Sequence, residues 1–118
     1  MRTVATIEAR MTSSRLPGKV LLEANGKPML LYLVERLKSV PSLDDIVIAT
    51  TTNQSDDAIV DFAFKNSINY FRGSENDVML RVIEAAEQFC ADVIVEITGD
   101  CPIIDPQIVE QTIQIFKN

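Results

Sequence analysis

Four short runs at residues 4–7, 46–49, 69–72 and 93–97 read as β-strands, and each is followed by a stretch of helical character. Leu30, Leu33, Val34 and Leu37 share one side of a helix expected over 28–38. Its start is favoured by Pro28, because a first-turn proline lacks only a donor that would be unpaired there. Ser55 is a candidate cap for a second helix reaching about residue 66, with Asp56 and Asp57 against its positive end and Ile59, Phe62 and Ala63 inward. Ser74-x-x-Asp77 resembles a capping box opening a third helix that reaches 89. Asp105-Pro106 opens a fourth, with Ile108, Thr112 and Ile115 on one side. This β-α alternation with short connections constrains the chain to an α/β class, a mostly parallel sheet with helices on both faces and right-handed crossovers. With 118 residues there is room for one domain, residues 1–118, and a modest core.

In such a sheet the loops after the strands carry the ligand site. The loop after the first strand, residues 9–19, is A-R-M-T-S-S-R-L-P-G-K. It places Arg10, Arg15 and Lys19 among the hydroxyls of Thr12, Ser13 and Ser14, and Pro17-Gly18 forces a turn. A basic loop is often only solvated surface. Interleaved hydroxyls and the position directly after the first strand favour a polyphosphate ligand, which arginine grips bidentately and lysine as a point charge. The loop is not a Walker A sequence, since Val20 follows Gly18-Lys19 and the upstream glycine is missing. No G-x-G-x-x-G is present either.

Charge is divided along the chain. Residues 1–38 carry 7 basic and 3 acidic side chains, and the remainder 4 and 14, for a net charge of −6. That balance argues against general nucleic-acid binding, while the positive end coincides with the candidate phosphate loop. There is no histidine, which removes Ser-His triads and Cys/His zinc sites. Cys90 and Cys101 make no disulfide framework. No apolar run approaches the roughly 20 residues of a membrane span, and no secretory signal precedes the first strand, so the expectation is a cytoplasmic protein.

The loop after the fourth strand mirrors the first. In Thr98-Gly99-Asp100-Cys101-Pro102 a carboxylate stands at the strand's end beside a glycine that would let the backbone approach a ligand. Asp100 suits a hard cation such as magnesium, which takes one or two carboxylates with phosphate oxygens; a simple turn role is the alternative. Asp105, directly before Pro106, reads as a helix cap, and Cys101 as packing.

Taken with G-K-P-M-L at 26–30, F-R-G-S-E-N-D-V-M-L-R at 71–81 and T-G-D-C-P-I-I-D-P at 98–106, the loop at 9–19 resembles the cytidylyltransferases that activate acidic sugars. These include the Kdo and acylneuraminate enzymes and, above all, the spore-coat polysaccharide branch. The resemblance implies a Rossmann-like three-layer α/β/α nucleotidyltransferase domain, and transfer of CMP from CTP to a sugar with loss of pyrophosphate. It also implies site roles: Arg10 and Lys19 on the triphosphate, and Asp100 as the Mg2+ carboxylate. Ala9, Ser13 and Arg15 match the nucleotide loop, with Arg15 as a contact or a brace. Ser74, Asp77 and Arg81 match a segment bordering the nucleotide, although a cap, a first-turn charge and an i,i+4 pair would explain them equally. Thr50, and Thr52 beside it, could approach the base.

Relatives continue for about as long again, so the resemblance covers only an N-terminal half. The expectation is a partial form whose own activity is doubtful, with exposed sheet edge and self-association, such as a homodimer. A non-catalytic nucleotide-binding or assembly module, or a nucleotidyltransferase using another base, stays open.

Overall fold

The computed structural model describes residues 1–12, 16–100 and 103–118. Ser13 and Arg15 of the phosphate loop, and Cys101, therefore lie outside the described residues. Four parallel strands form the sheet in the order β5 (Asn69–Gly73), β4 (Asp45–Thr51), β1 (Thr3–Glu8) and β6 (Val93–Thr98). All four coincide with the predicted runs to within a residue or two. Strand β1 is central: Val4 to Glu8 pair with Asp45 to Ala49 on one side, and Thr3 to Glu8 pair with Val93 to Thr98 on the other.

Alternation along β1 assigns the two faces. Ala5, Ile7 and Ala9 pack into the larger core with Leu30, Leu33, Val34 and Leu37 of α1 (Met29–Lys38). The same core takes Ile59, Phe62 and Ala63 of α2 (Asp57–Lys65), and Val109 and Ile113 of α4 (Pro106–Lys117). Val4 points the other way and joins Val47, Ala49 and Ala85 of α3 (Val78–Gln88). Helices thus lie on both faces, a three-layer α/β/α arrangement.

Between β1 and α1 the chain makes a 3-10 turn at Lys19–Leu21 and a two-residue hairpin of β2 (Glu23–Ala24) and β3 (Lys27–Pro28). Asn25 and Gly26 have φ of 56° and 77°, the left-handed pair that a type I′ turn demands. Tyr32 of α1 donates its hydroxyl to the carbonyl of Ala24 at 2.7 Å and holds the hairpin on the helix.

Three helix expectations are corrected. Ser55 does not cap the second helix. Asn53 caps a short 3-10 turn (Gln54–Asp56) that precedes α2, accepting from the Ser55 amide at 2.9 Å, and α2 itself starts after Asp56 without a side-chain cap bond. Helix α3 starts after Asp77, whose carboxylate accepts from the Leu80 amide at 3.0 Å. Ser74 sits outside the helix and accepts from the Asp77 amide at 3.0 Å. On α4 the buried face is Val109 and Ile113, while Ile108 and Ile115 are 60% and 78% exposed. Asp105 caps α4 as expected, accepting from the Gln107 amide at 2.9 Å.

Strand β6 has no partner on its outer edge among the described strands. Ile94 on it is 42% exposed, and a groove lined by Ile94, Ile104, Ile108, Thr112 and Phe116 runs between β6 and α4.

Candidate functional site

The C-terminal tips of β1 and β6 lie side by side, because Glu8 is the register partner of Thr98. The Gly99 amide donates to the Glu8 carbonyl at 2.8 Å and extends the pairing one residue past the strand. A Cβ at position 99 would stand 2.9 Å from that carbonyl oxygen and 3.2 Å from the Ala9 side chain. The glycine is therefore required by the approach of one strand end to its neighbour, a constraint additional to the ligand approach the sequence suggested.

This junction floors a cavity of about 250 Å³. Glu8, Ala9 and Arg10 enter it from β1 and the start of its loop, and Thr98, Gly99 and Asp100 from the end of β6. Val20 closes it from the 3-10 turn, and Val78 and Arg81 from α3. Arg10 and Asp100 are exposed at its edge. Lys19 is not among the lining residues, but it immediately precedes Val20 and is half-buried.

The loop between Arg10 and Lys19 is anchored at both ends. The Gly18 amide donates to the Met11 carbonyl at 2.7 Å. The Met11 amide donates to Asp56 at 2.6 Å, and the Thr51 hydroxyl donates to the other oxygen of the same carboxylate. Asp56 is wholly buried. The sequence reading gave it only a helix-end role; the structure makes it the tie between the cationic loop and the tip of β4. A buried carboxylate is costly to place without hydrogen-bond donors, and here one of its two donors is the Met11 amide, so the start of the loop is held firmly.

Arg81 departs most from expectation. It is 2% exposed, forms no salt bridge with Asp77 or any other described residue, and lies under the cavity. Its Nη1 donates to the Ser74 carbonyl at 3.0 Å, while its Nε has no hydrogen-bond partner. Burial lowers its pKa from the usual guanidinium value, Glu8 opposes that shift, and the nearby Arg10 adds to it.

Glu8 was not singled out in the sequence. Burial raises its pKa above the ordinary carboxylate value, and the neighbouring Glu96 carboxylate adds to the rise, as does Asp100; Arg81 works the other way. The signal was present in the alternation Val4, Thr6, Glu8 on one face of a strand flanked on both sides, where a charged residue at the tip has few places to go but the ligand crevice.

Of the expected nucleotide contacts, Ala9, Arg10, Arg81 and Asp100 come together in one cavity. Ser74 and Asp77 are engaged in the turn and cap before α3, and Ser74 reaches the cavity only through its carbonyl's bond to Arg81. Thr50 is not at the cavity. It is fully buried on β4 with its hydroxyl unpaired, opposite Arg72 on β5. Thr52 is exposed beyond the strand. Among the described residues no cluster of three acidic or thiol side chains could enclose a metal ion, so Asp100 could hold one only together with oxygens of a ligand.

A family model described as cytidylyltransferase matches residues 4–118, essentially the whole chain. The chain belongs to the cytidylyltransferase family. It is similar to the spore coat polysaccharide biosynthesis protein SpsF of Bacillus subtilis, with 38% identity over an alignment of 112 positions that covers 92% of this chain and 47% of that protein. The structure superposes on a cytidylyltransferase from Leptospira borgpetersenii serovar Hardjo-bovis with a TM-score of 0.93 at 39% identity, covering 99% of this chain and 49% of that one. It also matches a CMP:2-keto-3-deoxy-manno-octonic acid synthetase solved with CTP, with a TM-score of 0.82 at 31% identity, covering 99% and 48%. This cytidylyltransferase chain therefore spans about half the length of the relatives it matches. No helix of the described residues is long and apolar enough to cross a membrane.

Proposed function

We propose that this chain is the nucleotide-holding part of a cytidylyltransferase that transfers CMP from CTP to a sugar and releases pyrophosphate, in polysaccharide biosynthesis in the cytoplasm. The observation that carries the reading is the meeting of Arg10 and Asp100 in one cavity at the tips of adjacent parallel strands. The chemistry is an in-line displacement: a sugar oxygen bonds to the α-phosphorus of CTP while the bond from that phosphorus to the pyrophosphate oxygen breaks. Protein groups do little covalent work in such a transfer, so positioning and charge dominate. Arg10 and Lys19 take the triphosphate, the first through its planar fork and the second as a point charge, and they balance charge gathering on the leaving pyrophosphate. Ser13 and Arg15 belong to the same loop, Ser13 near the nucleotide and Arg15 as a contact or a brace of the loop.

Asp100 is the residue that would hold Mg2+, with phosphate oxygens filling the remaining positions. When bound, the ion neutralises charge on the phosphates. The open edge of β6 and the apolar groove beside it favour self-association of chains of this length.

The test is a titration of the chain with CTP in the presence and absence of magnesium, followed by an assay of pyrophosphate release with a panel of acidic sugars. Magnesium-dependent CTP binding supports the reading, and absence of binding under both conditions removes it. Binding without pyrophosphate release by this chain favours a nucleotide-binding module whose catalysis needs more polypeptide.

A further inference from the structure

Arg72, near the end of β5, does not line the cavity. Its guanidinium nevertheless directs three donors at the stretch that leaves the tip of β4. Nε donates to the Thr51 carbonyl at 2.8 Å, Nη2 to the Asn53 carbonyl at 2.9 Å and Nη1 to the Asp57 carboxylate at 2.7 Å. The Asn53 carbonyl also accepts from the Asp56 amide at 2.9 Å, so Arg72 and Asp56 meet on one oxygen. The Asp56 carboxylate accepts in turn from the Met11 amide, and the Met11 carbonyl accepts from the Gly18 amide. Met11 follows Arg10 directly, and Gly18 directly precedes Lys19. A continuous run of hydrogen bonds thus leads from Arg72 to the neighbours of both phosphate-loop cations. Asn53 serves a second wall of the cavity as well. Its side-chain amide donates to Glu75 at 3.0 Å, in the connection that leads into α3 and so to Val78 and Arg81.

We propose that Arg72 is a positioning residue for the phosphate loop: by fixing the turn at 51–57 it sets where Asp56 holds Met11, and through Met11 the placement of Arg10 and Lys19. This rests on the nucleotide-binding reading above and adds to it a control on the triphosphate by a residue that touches no ligand. The planar fork is what the task needs, since it reaches two carbonyls and a carboxylate at once, which a lysine ammonium on a flexible stem does not. The ion pair with Asp57 is the lesser part. Its side chains are 27% and 57% exposed, and pairs so open to water contribute little.

The experiment is a calorimetric titration with CTP and with inorganic tripolyphosphate, each with magnesium, on the wild type, Arg72→Lys, Asp57→Ala, Asp56→Ala and the Arg72→Lys/Asp56→Ala double variant. Thermal unfolding and amide hydrogen exchange are followed alongside. Arg72→Lys is expected to weaken CTP and tripolyphosphate alike, by about tenfold, while Asp57→Ala stays within about twofold of the wild type. Exchange should quicken at the Met11 and Gly18 amides of Arg72→Lys and hold steady in α1, a local signature that general destabilisation does not produce. Because Arg72 acts through Asp56, the double variant should bind within about twofold of Asp56→Ala alone. Unchanged tripolyphosphate affinity in Arg72→Lys overturns the proposal, as do exchange that quickens uniformly and fully additive losses in the double variant. Unfolding of Arg72→Lys at a temperature where Asp56→Ala stays folded assigns the residue to the fold as a whole and overturns it too. An equal loss in Asp57→Ala overturns the assignment to the carbonyl bonds. Wild-type chain that binds neither ligand overturns the nucleotide reading itself, whereas a wild type that binds both while Arg72→Lys matches it removes only the positioning role.

Discussion

The amide of Gly99 donates to the carbonyl of Glu8 at 2.8 Å, and through this bond the cationic end of β1 and the acidic end of β6 become one surface. Everything assigned to the site depends on that junction. Replacing Gly99 by alanine places a Cβ 2.9 Å from the Glu8 carbonyl, a backbone atom that cannot swing aside. Gly99→Ala is expected to cost about 1–3 kcal/mol, in the range of overpacked core sites, and to weaken CTP binding as the strand tips separate. Denaturant unfolding checks the first effect and a CTP titration the second.

Asp56 anchors the phosphate loop from behind. It is buried, accepts from the Met11 amide and the Thr51 hydroxyl, and lies outside the cavity lining. Asp56→Ala leaves both donors without their acceptor, and a loss of about 1–3 kcal/mol per unsatisfied buried group is expected. Hydrogen exchange at the Met11 amide should rise in the variant, and triphosphate affinity should fall although no ligand contact was touched.

The two ends of the acid range are governed by different carboxylates. Glu110 accepts from the Ser42 hydroxyl, the Gln114 amide group and the Ser42 backbone amide, which hold its pKa below the usual carboxylate value. Its folded pKa is depressed, so the stability it contributes is present above the unfolded pKa and is lost as pH falls through the folded one. Glu8 has the opposite sign. Its folded pKa is raised, so its ionisation opposes folding, and stability is regained as pH falls through that value. Melting temperature against pH should show Glu110→Gln flattening the acid limb, and Glu8→Gln raising stability at neutral pH but not at low pH.

Self-association is expected to run through β6 and α4. Ile94 and Ile108 are 42% and 60% exposed beside the unpaired strand edge. Placing a lysine at either position sets a charge in the apolar groove, a device that natural edge strands use against pairing. Sedimentation should show a concentration-dependent oligomer for the wild type and a monomer for Ile94→Lys and Ile108→Lys; a wild type that stays monomeric at every concentration contradicts the expectation.

The strands were legible because each is a short apolar run bounded by turn residues, and Asn25-Gly26 named its own turn. Helix ends were less so. Asn53, Ser55, Ser74 and Asp77 are all competent caps, and which one holds an amide is decided by the tertiary path of the chain rather than by local preference. The face of α4 was misassigned because Ile108 and Ile115 are as apolar as Val109 and Ile113, so periodicity alone does not say which stripe meets the sheet. At the site, Arg10 and Asp100 were found from their loops after strands. Arg81 was placed in the right segment with the wrong company, since a helical arginine ordinarily reads as surface and nothing local shows that α3 turns it inward. Asp56 and Glu8 gain their roles from residues 45 and 88 positions away, Met11 and Glu96, distances over which sequence pattern carries no information.

The central claim is that a triphosphate is held between Arg10 and Asp100. The most direct measurement is magnesium-dependent CTP affinity in the wild type, Arg10→Met and Asp100→Asn. Arg10→Met is expected to lower affinity by about tenfold to a hundredfold, the worth of a charge-assisted contact, and Asp100→Asn to remove the magnesium dependence while leaving weak metal-free binding. Unchanged, magnesium-dependent affinity in both variants would contradict the account.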